Sequence, residues 1–258
     1  MPATRDSLLA LLAACLVAPM SGCDEPDPIP EYGASGIADA EFRQSRTHEL
    51  VRDDVDTINV YIADDLRQYD ADNYDESFTK AIRMAMSLWN EVEGLRFSFE
   101  YVTTPTTTPP TIAFVTMPGQ LPCGTPGPAP DPNRAHTESD ARARFPQGGL
   151  PGATIEVNPC ILTQYEPRRP PRILRHIFMH ELGHAVGFRH TDWATRESCG
   201  AGSPCEPREP DGAIPVPGTP PFWTGDPDSV FNACWNPGST GTFSPNDTKA
   251  IQALYGAS

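Results

Sequence analysis

The stretch HELGHAVGFRH, residues 180–190, constrains this chain more than any other. Within it His180, Glu181, His184, Gly187 and His190 form the pattern H-E-x-x-H-x-x-G-x-x-H. Residues four apart on a helix share one face and lie about 6 Å apart along its axis. His180 and His184 can therefore aim imidazole nitrogens at one metal ion. Glu181 projects beside that ion, which suits a general base acting on metal-bound water. Gly187 lets the chain leave the helix in a left-handed conformation and swing back. His190 then closes the site as third ligand. Three neutral imidazoles leave a zinc ion one open position for water, the arrangement of a catalytic site rather than a structural one.

A bare H-E-x-x-H also arises on an ordinary amphipathic helix with two surface histidines. The glycine and the third histidine in register argue against that reading. His176 lies four residues before His180 and is assigned a structural or surface place, because three histidines along the helix would leave His190 unexplained. His48 and His136 lack partners at ligand spacing.

The chain has 258 residues, enough for one domain of ordinary size plus accessory segments. Nineteen basic residues against 34 acidic ones give a net charge of −15, which argues against nucleic acid or an anionic membrane surface as partner. Residues 8–20, LLALLAACLVAPM, are apolar but too few to span a bilayer, and read as the core of a secretory signal. The run ends Met20-Ser21-Gly22-Cys23, which resembles a bacterial lipobox with Cys23 lipidated; Cys15, in Leu12-Ala13-Ala14-Cys15, is the alternative, as is simple secretion. Residues 1–22 are thus expected to be a lipoprotein-type signal peptide, 23–52 a tether or short pro-segment, and 53–258 the catalytic domain. Export follows, with membrane contact only through an N-terminal lipid. The segment before residue 53 has no cysteine after Cys23, so a cysteine-based latch on the metal is excluded.

Ile58–Ile62 alternates as a strand does. Asp75 can cap a helix in which Phe78, Ile82, Ala85, Trp89 and Val92 share a face, with Gly94 as the stop. Strands are expected at 95–102 and 112–117, giving an α/β layer with a right-handed crossover. Ala141–Phe145 reads as a short edge strand ended by Pro146, and Thr154–Val157 as an interior one. Pro170-Pro171 opens the helix that carries His180 and His184. Ser244, Pro245 and Asp247 start a C-terminal helix.

The H-E-x-x-H-x-x-G-x-x-H stretch resembles the zinc signature of the metzincin metallopeptidases. GFRHTDW, 187–193, looks closest to the bacterial HEIGH-type (dual-action) metallopeptidases, with HELGH here in place of HEIGH. SPNDTKAIQALYG, 244–256, resembles the C-terminal helix of matrixin-like relatives. The resemblance implies a mixed α/β fold: a twisted sheet with one antiparallel edge strand, an active-site helix and a C-terminal helix. It also implies that the edge strand, carried over to about Ala141–Phe145, pairs with an extended peptide substrate. Metzincins have a methionine turn under the zinc. Ser229-Val230-Phe231-Asn232 sits where that turn belongs, with Phe231 in the methionine's place, and all six methionines lie at or before Met179.

The expected function is that of an exported zinc endopeptidase, with His180, His184 and His190 on Zn2+ and Glu181 as base toward protein or peptide substrates. The alternative is a zinc-bearing but catalytically impaired surface module on the same fold, for which Phe231 speaks. Calcium is left open, with no motif to support it. For the cysteines, Cys199–Cys205 is the first expected pairing and Cys123–Cys160 the second, with Cys234 left over.

Overall fold

The computed structural model describes residues 44–70, 77–118, 140–162, 171–194, 196–199, 213–219, 226–235 and 240–257. A five-stranded sheet is built from β2 (Thr57–Ile62), β3 (Ser98–Val102), β4 (Thr111–Thr116), β5 (Ala141–Ala143) and β6 (Thr154–Val157), in the order β3-β2-β4-β6-β5. All neighbours run parallel except β5, which pairs antiparallel with β6 as the edge strand. The expected mixed sheet with one antiparallel edge is therefore what the chain forms. The expected edge strand ran to Phe145; β5 ends at Ala143, and the Arg144 amide makes one further bond, to the Thr154 carbonyl at 3.0 Å.

A short helix α1 (Asp64–Arg67) follows β2, and α2 (Phe78–Asn90) joins β2 to its parallel neighbour β3. Phe78, Ile82, Ala85 and Trp89 are buried, as their spacing demands. The cap of α2 is Ser77, whose hydroxyl accepts from the Lys80 amide at 3.1 Å. Asp75, expected in that role, lies outside the described residues; Ser77 is the residue adjacent to the first turn. The helix ends at Asn90, with Glu91 as its C-cap, so Val92 and the expected stop Gly94 (φ +77°) lie in the turn beyond it.

The helix α3 (Pro171–Val186) lies against α2, β5 and β6. The Trp89 indole donates to the Met179 carbonyl at 3.1 Å and so ties α2 to α3 within the core. Phe178 meets Phe78 and Phe114 in the same core. At the C-terminus, α4 (Pro245–Tyr255) starts with a capping box in which Ser244 and Asp247 bond each other's backbone amides. Its last residue reaches back, and the Tyr255 hydroxyl donates to the Val186 carbonyl at the end of α3.

Packing of the domain begins earlier than residue 53. A two-residue strand β1 (Ser45–Arg46) pairs with β7 (Ile214–Pro215), and the Thr47 amide donates to the Gly187 carbonyl at 2.8 Å. The Arg189 amide donates to the Ser45 carbonyl at 2.8 Å, and Val51 is buried. Residues 44–52, expected to close a tether, are thus part of the fold. Their polar composition hid this, because the pairing is carried by backbone groups.

Candidate metal centre

Helix α3 places His180 and His184 on one face, one turn apart. Its end is set by Gly187, whose φ is +109° and whose absent Cβ would lie 2.8 Å from Leu50 and 3.1 Å from the Glu49 carbonyl. A side chain at this position would be strained by that φ and tight against the Glu49 carbonyl. The reversal brings His190 back over the helix. The Nε2 atom of His190 then lies 3.0 Å from that of His180 and 3.1 Å from that of His184.

Two of the rings have fixed orientation. His180 Nδ1 is 2.8 Å from the Val230 carbonyl, and His184 Nδ1 is 2.7 Å from the Phe188 carbonyl. A carbonyl only accepts, so in each ring the proton sits on Nδ1 and Nε2 keeps its lone pair toward the cluster. Burial, followed by the neighbouring rings of His184 and His190, holds the His180 pKa well below its usual 6.5. His190 differs, since its Nδ1 faces the Arg196 guanidinium at 3.3 Å, and a guanidinium only donates. Ligation through Nε2 of His190 requires that contact to open.

These donors fit a zinc ion. Tetrahedral ligands at about 2.0–2.1 Å from a metal stand roughly 3.3–3.4 Å apart; the two separations to His190 fall a few tenths of an ångström short of that, and all three ligand atoms lie within 4.8 Å of one another. The three histidines are the one group of potential ligands, among the described residues, that converges in this way. Glu181 is buried beside them, 2% exposed.

The turn 229–232 lies beneath the cluster. Phe231 is fully buried and stacks on Phe188, with centroids 4.6 Å apart and planes 1° from parallel. Its ring also fills the space next to Gly183, where an added Cβ would lie 2.2 Å from Cε1 of Phe231. Gly183, the fourth letter of HELGH, is therefore paired with Phe231. The sequence alone gave no signal for that partner.

Asp247 was legible as a helix cap but not as a support of this turn. One of its oxygens accepts from Gln44 Nε2 at 2.8 Å and Ser229 Oγ at 2.6 Å. The other accepts from the amides of Val230 at 2.8 Å and Ser244 at 2.9 Å. Burial pushes its pKa up to about 6, against the pull of these donors. Val230 thus links the acid, through its amide, to His180, through its carbonyl.

Beyond His190, Asp192 accepts from the Ala233 amide at 2.9 Å and from the Ser198 amide at 3.0 Å. The same two segments are joined by a disulfide between Cys199 and Cys234, 35 residues apart. This corrects the expected Cys199–Cys205 pairing: the chain after Phe231 returns beside residue 199, so Cys234 is no leftover. Cys160 is also disulfide-bonded, while Cys15, Cys23, Cys123 and Cys205 lie outside the described residues. His176 is buried rather than on the surface, next to Trp235, and burial with the adjacent Arg175 lowers its pKa to about 3. It takes no part in the cluster. His48 lies outside the cluster too, and His136 outside the described residues.

Two histidines on one helix, a glycine reversal to a third and a buried glutamate thus make a group that could hold a metal ion. The chain belongs to the dual-action HEIGH metallo-peptidase family, whose profile matches residues 36–255. Among solved structures it is similar to one described as the structure of myroilysin, with 13% identity and a TM-score of 0.42 over 82% of this chain and 98% of that one. A crystal structure of myroilysin is similar at 12% identity and a TM-score of 0.37, covering 80% of this chain and 85% of that one. No curated protein matches.

Proposed function

We propose that the protein is a zinc-dependent endopeptidase of the metzincin type, with His180, His184 and His190 as zinc ligands and Glu181 as general base. The observation that carries this reading is the convergence of the three Nε2 atoms at 3.0 and 3.1 Å beside a buried glutamate. When bound, zinc supplies a Lewis acid that polarises the scissile carbonyl and lowers the pKa of a water to about 7. The chain's own groups do the rest. The carbonyls of Val230 and Phe188 hold the Nδ1 protons of His180 and His184, which keeps both Nε2 lone pairs turned inward. The Glu181 carboxylate takes the proton from the attacking water and passes it to the leaving amine. Phe231 serves as the floor of the site in the place where relatives carry methionine.

Replacing Glu181 with Gln tests the mechanism. The variant is expected to retain about one zinc per chain by metal analysis while peptide hydrolysis falls to background. Near-parental turnover in that variant would remove Glu181 from its role. The alternative, a zinc-bearing module impaired by Phe231, predicts a silent parent in which Phe231→Met creates hydrolysis.

Export is part of the proposal. The Cys199–Cys234 disulfide suits an oxidising compartment, and no helix among the described residues is long and apolar enough to cross a membrane. Residues 1–22 serve as a signal peptide and a lipid on Cys23 as the anchor. Membrane fractionation of Cys23→Ser checks this, the variant being expected in the soluble fraction and the parent on membranes.

A further inference from the structure

The three histidines differ in what they meet behind the cluster. His180 and His184 each turn Nδ1 to a backbone carbonyl, of Val230 at 2.8 Å and of Phe188 at 2.7 Å. Outer partners of metal-bound imidazoles are of this kind: acceptors that hold the ring N–H and make the other nitrogen a better donor to the ion. His190 instead turns Nδ1 to Nη1 of Arg196, at 3.3 Å. A guanidinium stays charged and only donates, so this contact takes up a lone pair where the other two hold a proton. The third ligand thus has a partner of the opposite kind.

Arg196 is held there by its surroundings. It is 5% exposed, and with φ at +51° it is the one non-glycine residue of positive φ among the described residues. That conformation is unfavourable for a residue with a Cβ and persists where neighbouring structure imposes it. The Arg196 amide donates to the Asp192 carbonyl at 2.6 Å, and its carbonyl accepts from the Cys199 amide at 2.9 Å. Asp192 and Cys199 are fixed in turn to the chain that follows Phe231, through the Ala233 amide at 2.9 Å and the disulfide to Cys234. Both flanks of Arg196 are therefore pinned while its side chain reaches His190. Two consequences have the same sign. The contact favours the His190 proton on Nε2, the atom that faces His180 and His184 and on which a ligand needs its lone pair. A buried cation beside a ligand also opposes a divalent ion at the same place, with little screening by water or salt.

Resting on the zinc reading above, we propose that Arg196 opposes zinc at His190, so that the site holds its metal less tightly than three imidazoles backed by carbonyls would, and its occupancy follows the zinc supplied around the protein. Arg196 is a positioning residue in this scheme, acting through His190 and not on substrate. An arginine that merely filled space beside His190 predicts the reverse, since its loss would loosen the third histidine and weaken zinc binding.

The test is the zinc affinity of the full chain, measured at one pH by competition with a chromogenic chelator. The parent is compared with Arg196→Met, Arg196→Gln and Arg196→Lys. The first two remove the charge with side chains of different shape, so either one answers should the other fail to fold. Arg196→Lys keeps a cation that only donates. Both uncharged variants are expected to bind zinc about ten- to a hundredfold more tightly than the parent, the range over which outer partners act on zinc ligands. Arg196→Lys should change the affinity much less. Equal or weaker zinc binding by the uncharged variants overturns the proposal, as does an equal tightening by Arg196→Lys, which would clear the cation of any part. Hydrolysis of a generic peptide at saturating zinc separates this proposal from the peptidase reading. If loss of the charge tightens zinc yet neither parent nor variants cleave the peptide, opposition by Arg196 stands and the peptidase reading falls. If the parent cleaves it only with zinc and the substitutions leave affinity unchanged, the peptidase reading stands and this proposal falls.

Discussion

The turn 229–232 under the histidines is held from two directions by supports of different kinds. From within the core it rests on apolar surface: Phe231 lies on Phe188, close to Trp89, and fills the space beside Gly183. From the side it hangs on one carboxylate, since Asp247 accepts from Ser229 and Val230 while also binding Gln44 and Ser244. Apolar support depends on volume and yields by degrees. An acid shared by four donors is satisfied as a whole, and losing one oxygen strands two of them. The same turn should therefore respond steeply but smoothly to changes at Phe231, and abruptly to an almost isosteric change at Asp247.

The largest expected effect is that of Phe231→Ala. A cavity under the histidines should cost roughly 3–5 kcal/mol in urea unfolding, and zinc affinity should fall with it. No change in melting, metal content or turnover would mean that Phe231 does not support the site. Asp247→Asn comes next. Its amide group can accept at only one of the two places, so two buried donors lose their partner, at roughly 2–4 kcal/mol. An unchanged unfolding midpoint would show that the acid is not what holds the turn.

The same acid gives a pH signature. Folded Asp247 ionises near 6, whereas the ordinary value is 3.8. As pH rises between those values the unfolded chain loses its proton first, so this group's contribution to stability falls, by roughly 3 kcal/mol at most, and is level above about 6. Subtracting the pH profile of Asp247→Asn from that of the parent isolates the slope; a flat difference between about pH 4 and about 6 would contradict it. Smaller again is Gly183→Ala, whose Cβ meets the Phe231 ring and should cost about 1–3 kcal/mol. Phe231→Met alone should cost less than about 1.5 kcal/mol, and in that background Gly183→Ala should become milder, because methionine can move aside. Additive effects in the double variant would show that the two residues do not share the space.

Much of the site could be read directly because its information is local. His180, Glu181, His184, Gly187 and His190 are fixed relative to one another by one helix and one reversal, and short-range periodicity specifies both. The strands and α2 were legible for the same reason, to within a few residues. Long-range partnerships were not. Nothing in the letters near Gly183 points to a phenylalanine at 231, and the capping box at Ser244 accounts so well for Asp247 that its bonds to Ser229 and Val230 go unsuspected. The pairing of Cys199 with Cys234 depends on where the chain returns after the turn, which spacing does not encode. Residues 44–52 were misread because backbone pairing leaves no mark on composition.

The strand at Ser45–Arg46 sets how far the domain can roam. Two of its bonds hold the residues on either side of Phe188, just ahead of His190, through Thr47 to Gly187 and Arg189 to Ser45. A chain cut or begun at residue 53 would leave the third histidine on a loop whose Gly187 carbonyl and Arg189 amide have lost these partners. The fold therefore includes residues from Gln44 on, ahead of the boundary that sequence suggests. If the proposed lipid on Cys23 anchors the chain, residues 24–43 can span at most roughly 70 Å, and a peptidase so anchored would act on substrates that come within that distance of the membrane.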